Sequence, residues 1–374
     1  MECRCLVLES MVSFFGDKNF HAWNTKQMPL KIAHINLAKG LRGGENQTLA
    51  IIEGLNHFEI EQTLICRKNS LLEQQALKHN IPVIAIRKPF LLNVAKLKSF
   101  DVIHVHEGRS IYFALAVNFF FQKPYLVTRR VLNKPHEKWL TKLAYKNAAT
   151  IVSISQNIHA VMLGFSPNQH HKIIPDIARI LESNQQEAAN LKTQFAGKFI
   201  VGHVGALDDS IKNQSLILKT ANQLRENENI VFMLLGSGED EQYLKKMAME
   251  LNLSNVIFEG FKENIADYFA LFDIFVYPSK EEGLGSAILE VFHFKKPVIA
   301  ANVGGIPDIL GDNEYGLLIN AFDDHELAEK IMTLYQDETL RNHYAEAGFQ
   351  RKEVFSSDEI CGDYYQLYQK MSCA

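Results

Sequence analysis

From Leu30 onward, short runs rich in β-branched and aromatic residues alternate with longer amphipathic runs, and this happens twice in tandem. Repeated switching between a strand pattern and a 3.6-residue period is the signature of βαβ units, whose strands align in a parallel sheet. The first series of strands is predicted at Lys31–Ile35, Gln62–Cys66, Pro82–Ile86, Val102–Val105, Tyr125–Thr128 and Thr150–Ser153. Helical periodicity fills the gaps, as in Glu45 to Leu55 and Pro135 to Lys146. From Pro175 to Lys198 the pattern breaks into a polar stretch rich in Asn, Gln and Glu. It restarts with strands predicted at Phe199–Val204, Ile230–Leu235, Val256–Phe258, Ile274–Tyr277, Pro297–Ala300 and Gly316–Ile319. The expected architecture is α/β, with two doubly wound lobes facing a central cleft. A length of 374 residues suits two domains of roughly 100–200 residues each.

The expected boundaries are 28–180 for the first lobe, 181–357 for the second, and 358–374 for a tyrosine-rich helix packing back towards the first. Met28 opens Met-Pro-Leu-Lys-Ile-Ala-His-Ile, which reads as the start of a domain, so residues 1–27 are expected to be an extension, disordered or a start-site artefact.

The net charge of −4 conceals an asymmetry. Residues 29–176 hold 19 Lys+Arg against 9 Asp+Glu, a balance of +10, whereas residues 177–374 hold 17 against 31, a balance of −14. Much of the positive charge lies between Asn118 and Thr150, where Arg129, Lys134, Lys138 and Lys142 are interleaved with Phe119, Phe120, Tyr125 and Trp139. A basic and aromatic stretch suits an anionic membrane surface or an acidic acceptor, and equally describes a solvated helix face. No segment resembles a nucleic-acid recognition module. The five cysteines, Cys3, Cys5, Cys66, Cys361 and Cys373, include no C-x-x-C pair, which argues against a disulfide framework and a structural zinc site. No apolar run approaches the roughly 18 residues of a membrane span, and Glu9 interrupts the first apolar stretch, so no signal peptide is read. The expected location is cytoplasmic, peripheral on the cytoplasmic face of the inner membrane.

Ligands of open α/β sheets bind beyond the carboxyl ends of the strands, so the loops there carry the chemistry. After the first strand comes Gly40-Leu-Arg-Gly43-Gly44-Glu45 and then a helix, whose free N–H groups suit a phosphate. Its spacing is not a dinucleotide fingerprint, and neither is that of Gly236-Ser-Gly238. In the second series Gly205-Ala-Leu-Asp-Asp-Ser-Ile-Lys212 places an ammonium where a diphosphate would lie. The densest stretch is Tyr277-Pro-Ser-Lys-Glu-Glu282-Gly283-Leu-Gly285-Ser-Ala-Ile-Leu-Glu290, followed by Gly304-Gly305-Ile-Pro307. Two glutamates eight apart mean little alone, but carboxylates beside a Gly-x-Gly turn can accept hydrogen bonds from sugar or ribose hydroxyls. At His104 and His106 the expectation is that one imidazole faces the cleft, and that it is His106.

With Gly43-Gly44-Glu45, Asp101-Val-Ile-His104-Val-His106, Gly236-Ser-Gly238 and Phe258-Glu-Gly260-Phe261, these residues resemble the signature of retaining glycosyltransferases of family 4. The resemblance covers nearly all of the chain from Met28 and implies the GT-B fold, two Rossmann-like lobes around a cleft, the first binding the acceptor and the second the nucleotide sugar. It implies transfer of a hexose-type sugar from a nucleoside-diphosphate sugar to a glycan or glycolipid acceptor, in lipopolysaccharide core or other surface polysaccharide synthesis. No cofactor or metal is expected. It further implies that Glu290 holds the ribose hydroxyls, Glu282 contacts the donor sugar, and Lys212 with Gly43 and Gly44 binds the diphosphate. Gly238, Gly283 and Gly285 line the donor, and Phe261 and Lys262 meet the base. The catalytic set is Glu282, His106 and Arg130, and the acceptor or membrane patch is Arg129, Lys134, Lys138, Trp139 and Lys142. Three departures stand out. Ala206 replaces the arginine common after Gly205, Arg129-Arg130 replaces a histidine common after the fifth strand, and Pro175-Asp176 replaces an Asn-Gly at the lobe junction. These leave open a non-catalytic scaffold or sugar-nucleotide binding protein, or a same-fold epimerase.

Overall fold

A computed structural model describes residues 29–373; the extension expected over residues 1–27 lies outside the described residues. The first sheet contains β1 (Leu30–Asn36), β2 (Ile60–Arg67), β3 (Val83–Ile86), β4 (Val102–Val105), β5 (Tyr125–Arg129), β6 (Thr150–Ser153) and β7 (His171–Ile173). Its order is β3-β2-β1-β4-β5-β6-β7, with every pair parallel. The second contains β8 (Phe199–Val204), β9 (Ile230–Leu235), β10 (Val256–Gly260), β11 (Ile274–Tyr277), β12 (Val298–Ala301) and β13 (Leu317–Ile319), ordered β10-β9-β8-β11-β12-β13. Twelve of these strands overlap the predicted runs; β7 is a correction. It has three half-buried residues, two of them His171 and Lys172, and so carries no apolar alternation to detect.

Strands covered on both faces must be apolar throughout. Ile230–Leu235 is buried at all six positions, and β4, β6, β11 and β12 are buried along their whole length. Strand order reverses direction between β1 and β4 in one sheet and between β8 and β11 in the other. These are the topological switch points, where the loops part to leave a crevice. The fold thus assigns the functional end of each lobe to four loops, those after β1, β4, β8 and β11.

The helix Ser357–Ser372 follows the second lobe in the chain but packs on the first. Ile360, Cys361, Tyr364, Leu367, Tyr368 and Met371 recur at helical spacing and are buried against Ile32, Ile51, Leu55, Val102, Leu126 and Val152. Close approach to the helix Gly43–Gly54 requires Gly54, because a side chain there would collide with Ser357 and Cys361. The lobes also touch directly: the Gln156 amide donates to Asp308 (2.7 Å) and Asn157 to the Gly304 carbonyl. Among the described residues no helix is long and apolar enough to cross a membrane.

Candidate functional site

The second-lobe crevice is built around a Lys212–Glu282 ion pair and the Tyr277 phenol. Lys212 ends a four-residue helix, Asp209–Lys212, because Asn213 turns left-handed at φ 59°; asparagine tolerates that conformation better than most residues. The Asn213 side chain donates to the carbonyls of Pro278 (3.1 Å) and Ala321 (2.6 Å), tying the loop after β8 to the loop after β11. Lys212 Nζ therefore reaches across the switch point, donating to Glu282 Oε2 at 2.5 Å and to Tyr277 OH at 2.8 Å. Tyr277 OH donates to the same carboxylate oxygen at 2.9 Å. Burial alone would lower the Lys212 pKa, but Tyr277 and Glu282 outweigh it, so the value is raised and the ammonium stays charged. Burial, then the Glu282 charge, raises the Tyr277 phenol.

Two glycines shape the loop that carries Glu282. Gly285 caps the helix Ser286–Phe292 at φ 96°, in the left-handed region. A side chain on Gly283 would run into the Arg130 carbonyl, so glycine lets the second-lobe loop lie against the first lobe. Gly238 has a packing reason, since a Cβ there would overlap the Leu207 carbonyl. Glu290, in the helix that follows Gly285, is buried and bound by Arg179, which the sequence reading did not single out. Phe261 is exposed, and Lys262 pairs with Glu259 at 3.0 Å.

The first-lobe crevice has a different chemistry. Arg130 lies beside Gly44 at the start of the helix Gly43–Gly54, and its side chain is nine-tenths buried. Its Nε donates to Asp176 (2.9 Å) and its Nη1 to the His106 carbonyl (3.2 Å), while Nη2 is buried without a partner. Burial raises the Asp176 pKa and Arg130 only partly offsets it. Arg129 donates to the Asn133 carbonyl.

His104 and His106 correct an expectation. Residues two apart in a strand share a face, and the rings stack at 3.8 Å; both enter one buried cluster with His34, opposite His104 in the β1–β4 register. The hydrogen bonds assign the His34 and His106 tautomers. Gln62 Nε2 donates to the Ile52 carbonyl, so Oε1 faces His34 and His34 Nε2 carries the proton (3.1 Å). His34 Nδ1 must then accept from His106 Nε2–H (2.9 Å), leaving His106 Nδ1 a bare lone pair, buried and without a partner. His104 is held by Tyr368 OH (2.7 Å) and Thr128 (2.8 Å), and Thr128 by Tyr364 OH (3.0 Å). Burial lowers the His34 pKa to about 3, against the Gln62 bond, and holds His104 and His106 well below the ordinary imidazole range, where neighbouring imidazoles and Arg130 add to the effect. Ligand atoms of the three histidines lie within 4.8 Å of one another, a spacing that could hold a metal ion. Their bonds to one another, to Gln62 and to hydroxyls make a neutral network instead.

The basic segment is exposed, but two of its lysines are engaged. Lys134 (2.5 Å) and Lys142 (3.1 Å) both bind Glu137, whose pKa their hydrogen bonds lower to about 2. Trp139 is 75% exposed, and so are Phe119 (72%), Phe120 (63%) and Leu92 (80%) elsewhere on the first lobe. The helix Ile111–Phe121 packs on the turn Phe90–Leu97, a neighbourhood that local spacing does not reveal.

Residues 184–351 match the family described as Glycosyl transferases group 1. The chain is 28% identical over 301 residues to the N-acetylgalactosamine-N,N'-diacetylbacillosaminyl-diphospho-undecaprenol 4-alpha-N-acetylgalactosaminyltransferase of Campylobacter jejuni, covering 75% of this chain and 81% of that protein. It is 33% identical over 140 residues to the lipopolysaccharide core biosynthesis glycosyltransferase LpsE of Rhizobium meliloti, 37% of this chain and 41% of that one. The fold matches the Anabaena protein Alr3699/HepE, solved in complex with UDP, at a TM-score of 0.83 and 18% identity over 91% of this chain and 100% of that one. Fold and kinship agree: the chain is a glycosyltransferase of the GT-B fold, and its residues 184–351 match the group 1 glycosyl transferase domain.

Proposed function

We propose that this chain is a retaining, family 4 enzyme that moves a hexose-type sugar from a nucleoside-diphosphate sugar to a glycan acceptor in lipopolysaccharide core or other surface polysaccharide synthesis. The observation that carries this reading is the Lys212–Glu282–Tyr277 triad at the second-lobe switch point. A half-buried ammonium held on a carboxylate is poised to exchange that partner for a diphosphate, which frees Glu282 to accept hydroxyls of the donor sugar. Glu290 takes the ribose, the loop at Gly283 and Gly285 takes the phosphates, and Phe261 and Lys262 flank the base. Lys212 with the free N–H groups at Gly43 and Gly44 supplies the positive charge that a bound metal would otherwise provide. The unpartnered Nη2 of Arg130 beside Gly44 supplies the phosphate contact absent at Ala206.

In the transfer, the bond between the anomeric carbon and the phosphate oxygen breaks as the acceptor hydroxyl bonds to that carbon on the same face, and the hydroxyl proton passes to the leaving phosphate. Glu282 positions the sugar and stabilises developing charge. His106, with its ring buried, acts through its carbonyl by holding Arg130. The acceptor sits on the first lobe, whose exposed Trp139, Phe119, Phe120 and Leu92 with Lys134, Lys138 and Lys142 fit the cytoplasmic surface of an anionic membrane carrying a glycolipid.

A thermal-shift panel of UDP, GDP, ADP and CMP tests the donor class, because a ligand that binds only the folded chain raises its melting temperature. The expected outcome is a rise with one nucleotide that Glu290→Ala abolishes. No rise with any of the four sinks the reading.

A further inference from the structure

Arg179 lies on the segment joining the lobes and belongs to none of the loops assigned to the donor. Its Nε donates to Glu290 Oε1 at 2.8 Å, and its Nη2 donates to the same oxygen. The pair is unequally buried, with the Glu290 side chain 8% and the Arg179 side chain 31% exposed. Arg179 lines an interlobe cavity of about 700 Å³ beside Asn46 and Leu289. Its backbone is tethered on both sides. Ile177 exchanges two 2.9 Å hydrogen bonds with the Gln47 side chain, the Ala178 amide donates to the Phe355 carbonyl (2.8 Å), and the Asn184 amide donates to Asp267 (2.6 Å). Arg179 therefore reaches Glu290 from a fixed origin.

A carboxylate that binds ribose accepts one hydroxyl on each oxygen. Here one oxygen already carries two N–H donors of a guanidinium, and charged donors of this kind bind more strongly than a sugar hydroxyl. We propose that Arg179 is a donor-site residue that stands in for the ribose. It occupies Glu290 in the free protein and yields it to the 2′- and 3′-hydroxyls, so nucleotide affinity is set by this exchange. The inference rests on Glu290 being the ribose ligand. Because Arg179 is anchored through Gln47 to the first lobe and Glu290 belongs to the second, nucleotide entry also releases a tie between the lobes.

The test uses isothermal titration with whichever of UDP, GDP, ADP or CMP raises the melting temperature, and with its 2′,3′-dideoxy analogue. Arg179→Ala is expected to tighten the natural nucleotide by about three- to tenfold, the range set by loss of a partly exposed ion pair. Arg179→Lys should fall between the two proteins, and the dideoxy analogue should bind wild type and Arg179→Ala alike. Unchanged or weaker binding of the natural nucleotide to Arg179→Ala overturns the exchange, whatever Glu290→Ala does. Undiminished binding to Glu290→Ala overturns the ribose assignment beneath it.

Discussion

The two switch points share a topology and differ in electrostatics. After β8 and β11 the second lobe places an ammonium, a carboxylate and a phenol in mutual contact. Along β1 and β4 the first lobe places three neutral imidazoles, wired to an amide and to the hydroxyls of a distant helix. A buried charge persists only when paired, so the second-lobe crevice can meet a charged ligand by trading partners. A neutral network has no charge to trade. It fixes geometry, here that of the strand end whose His106 carbonyl holds Arg130. The same fold thus holds an ion pair at one switch point and a neutral network at the other.

Activity should separate them most widely. Lys212→Met and Glu282→Gln are expected to lower kcat/KM by about 10²–10³-fold, the usual loss when an electrostatic contact to the transition state is removed, while melting temperatures stay within a few degrees. Retention of wild-type kcat by either variant, measured with a donor and acceptor pair, breaks the contrast at its stronger end.

The first lobe should reveal itself through pH. A histidine whose folded pKa lies below its unfolded value is protonated first in the unfolded chain, so its contribution to stability is intact above about pH 6.5 and is lost as pH falls towards the folded pKa. For His34, lowered to about 3, the loss at pH 5 amounts to about 2 kcal/mol. Asp176, raised by burial, works in the opposite direction, so the quantity to read is the difference between wild type and His34→Gln in urea midpoints at pH 7.5, 6 and 5. The variant should show the shallower decline; parallel declines would mean the cluster does not stay neutral.

The smallest effect is expected at the surface. Lys138→Glu with Lys142→Glu should reduce sedimentation with anionic vesicles by roughly tenfold or more at low salt, at about 1 kcal/mol per lysine, whereas Lys245→Glu with Lys246→Glu on the acidic lobe should leave it unchanged. Equal losses from both pairs would reduce the first-lobe patch to a general charge effect.

The tandem α/β pattern was legible because strands buried on both faces are continuous apolar runs; each predicted strand falls on an observed one. The partnership of Lys212 with Glu282 was not, since the two stand 70 residues apart and meet only because β8 and β11 are neighbours. His34 carried no signal at all: its role follows from β1 lying beside β4, which sheet order decides. Arg179 sat in a polar break where no motif directs attention. Gly238 shows the converse, a motif glycine with a packing reason in the Leu207 carbonyl.

The returning helix Ser357–Ser372 has a consequence in time. Tyr364 and Tyr368 complete the first lobe's core and its histidine network, yet they follow the whole second lobe in the chain. At the usual pace of synthesis, the segment from β8 to that helix takes on the order of ten seconds or more to emerge. Throughout that interval the first lobe exists with Ile32, Ile51, Leu126 and His104 uncovered. The half of the molecule made first is the half finished last, and quality control in the cell meets it as an open hemisphere before it meets an enzyme.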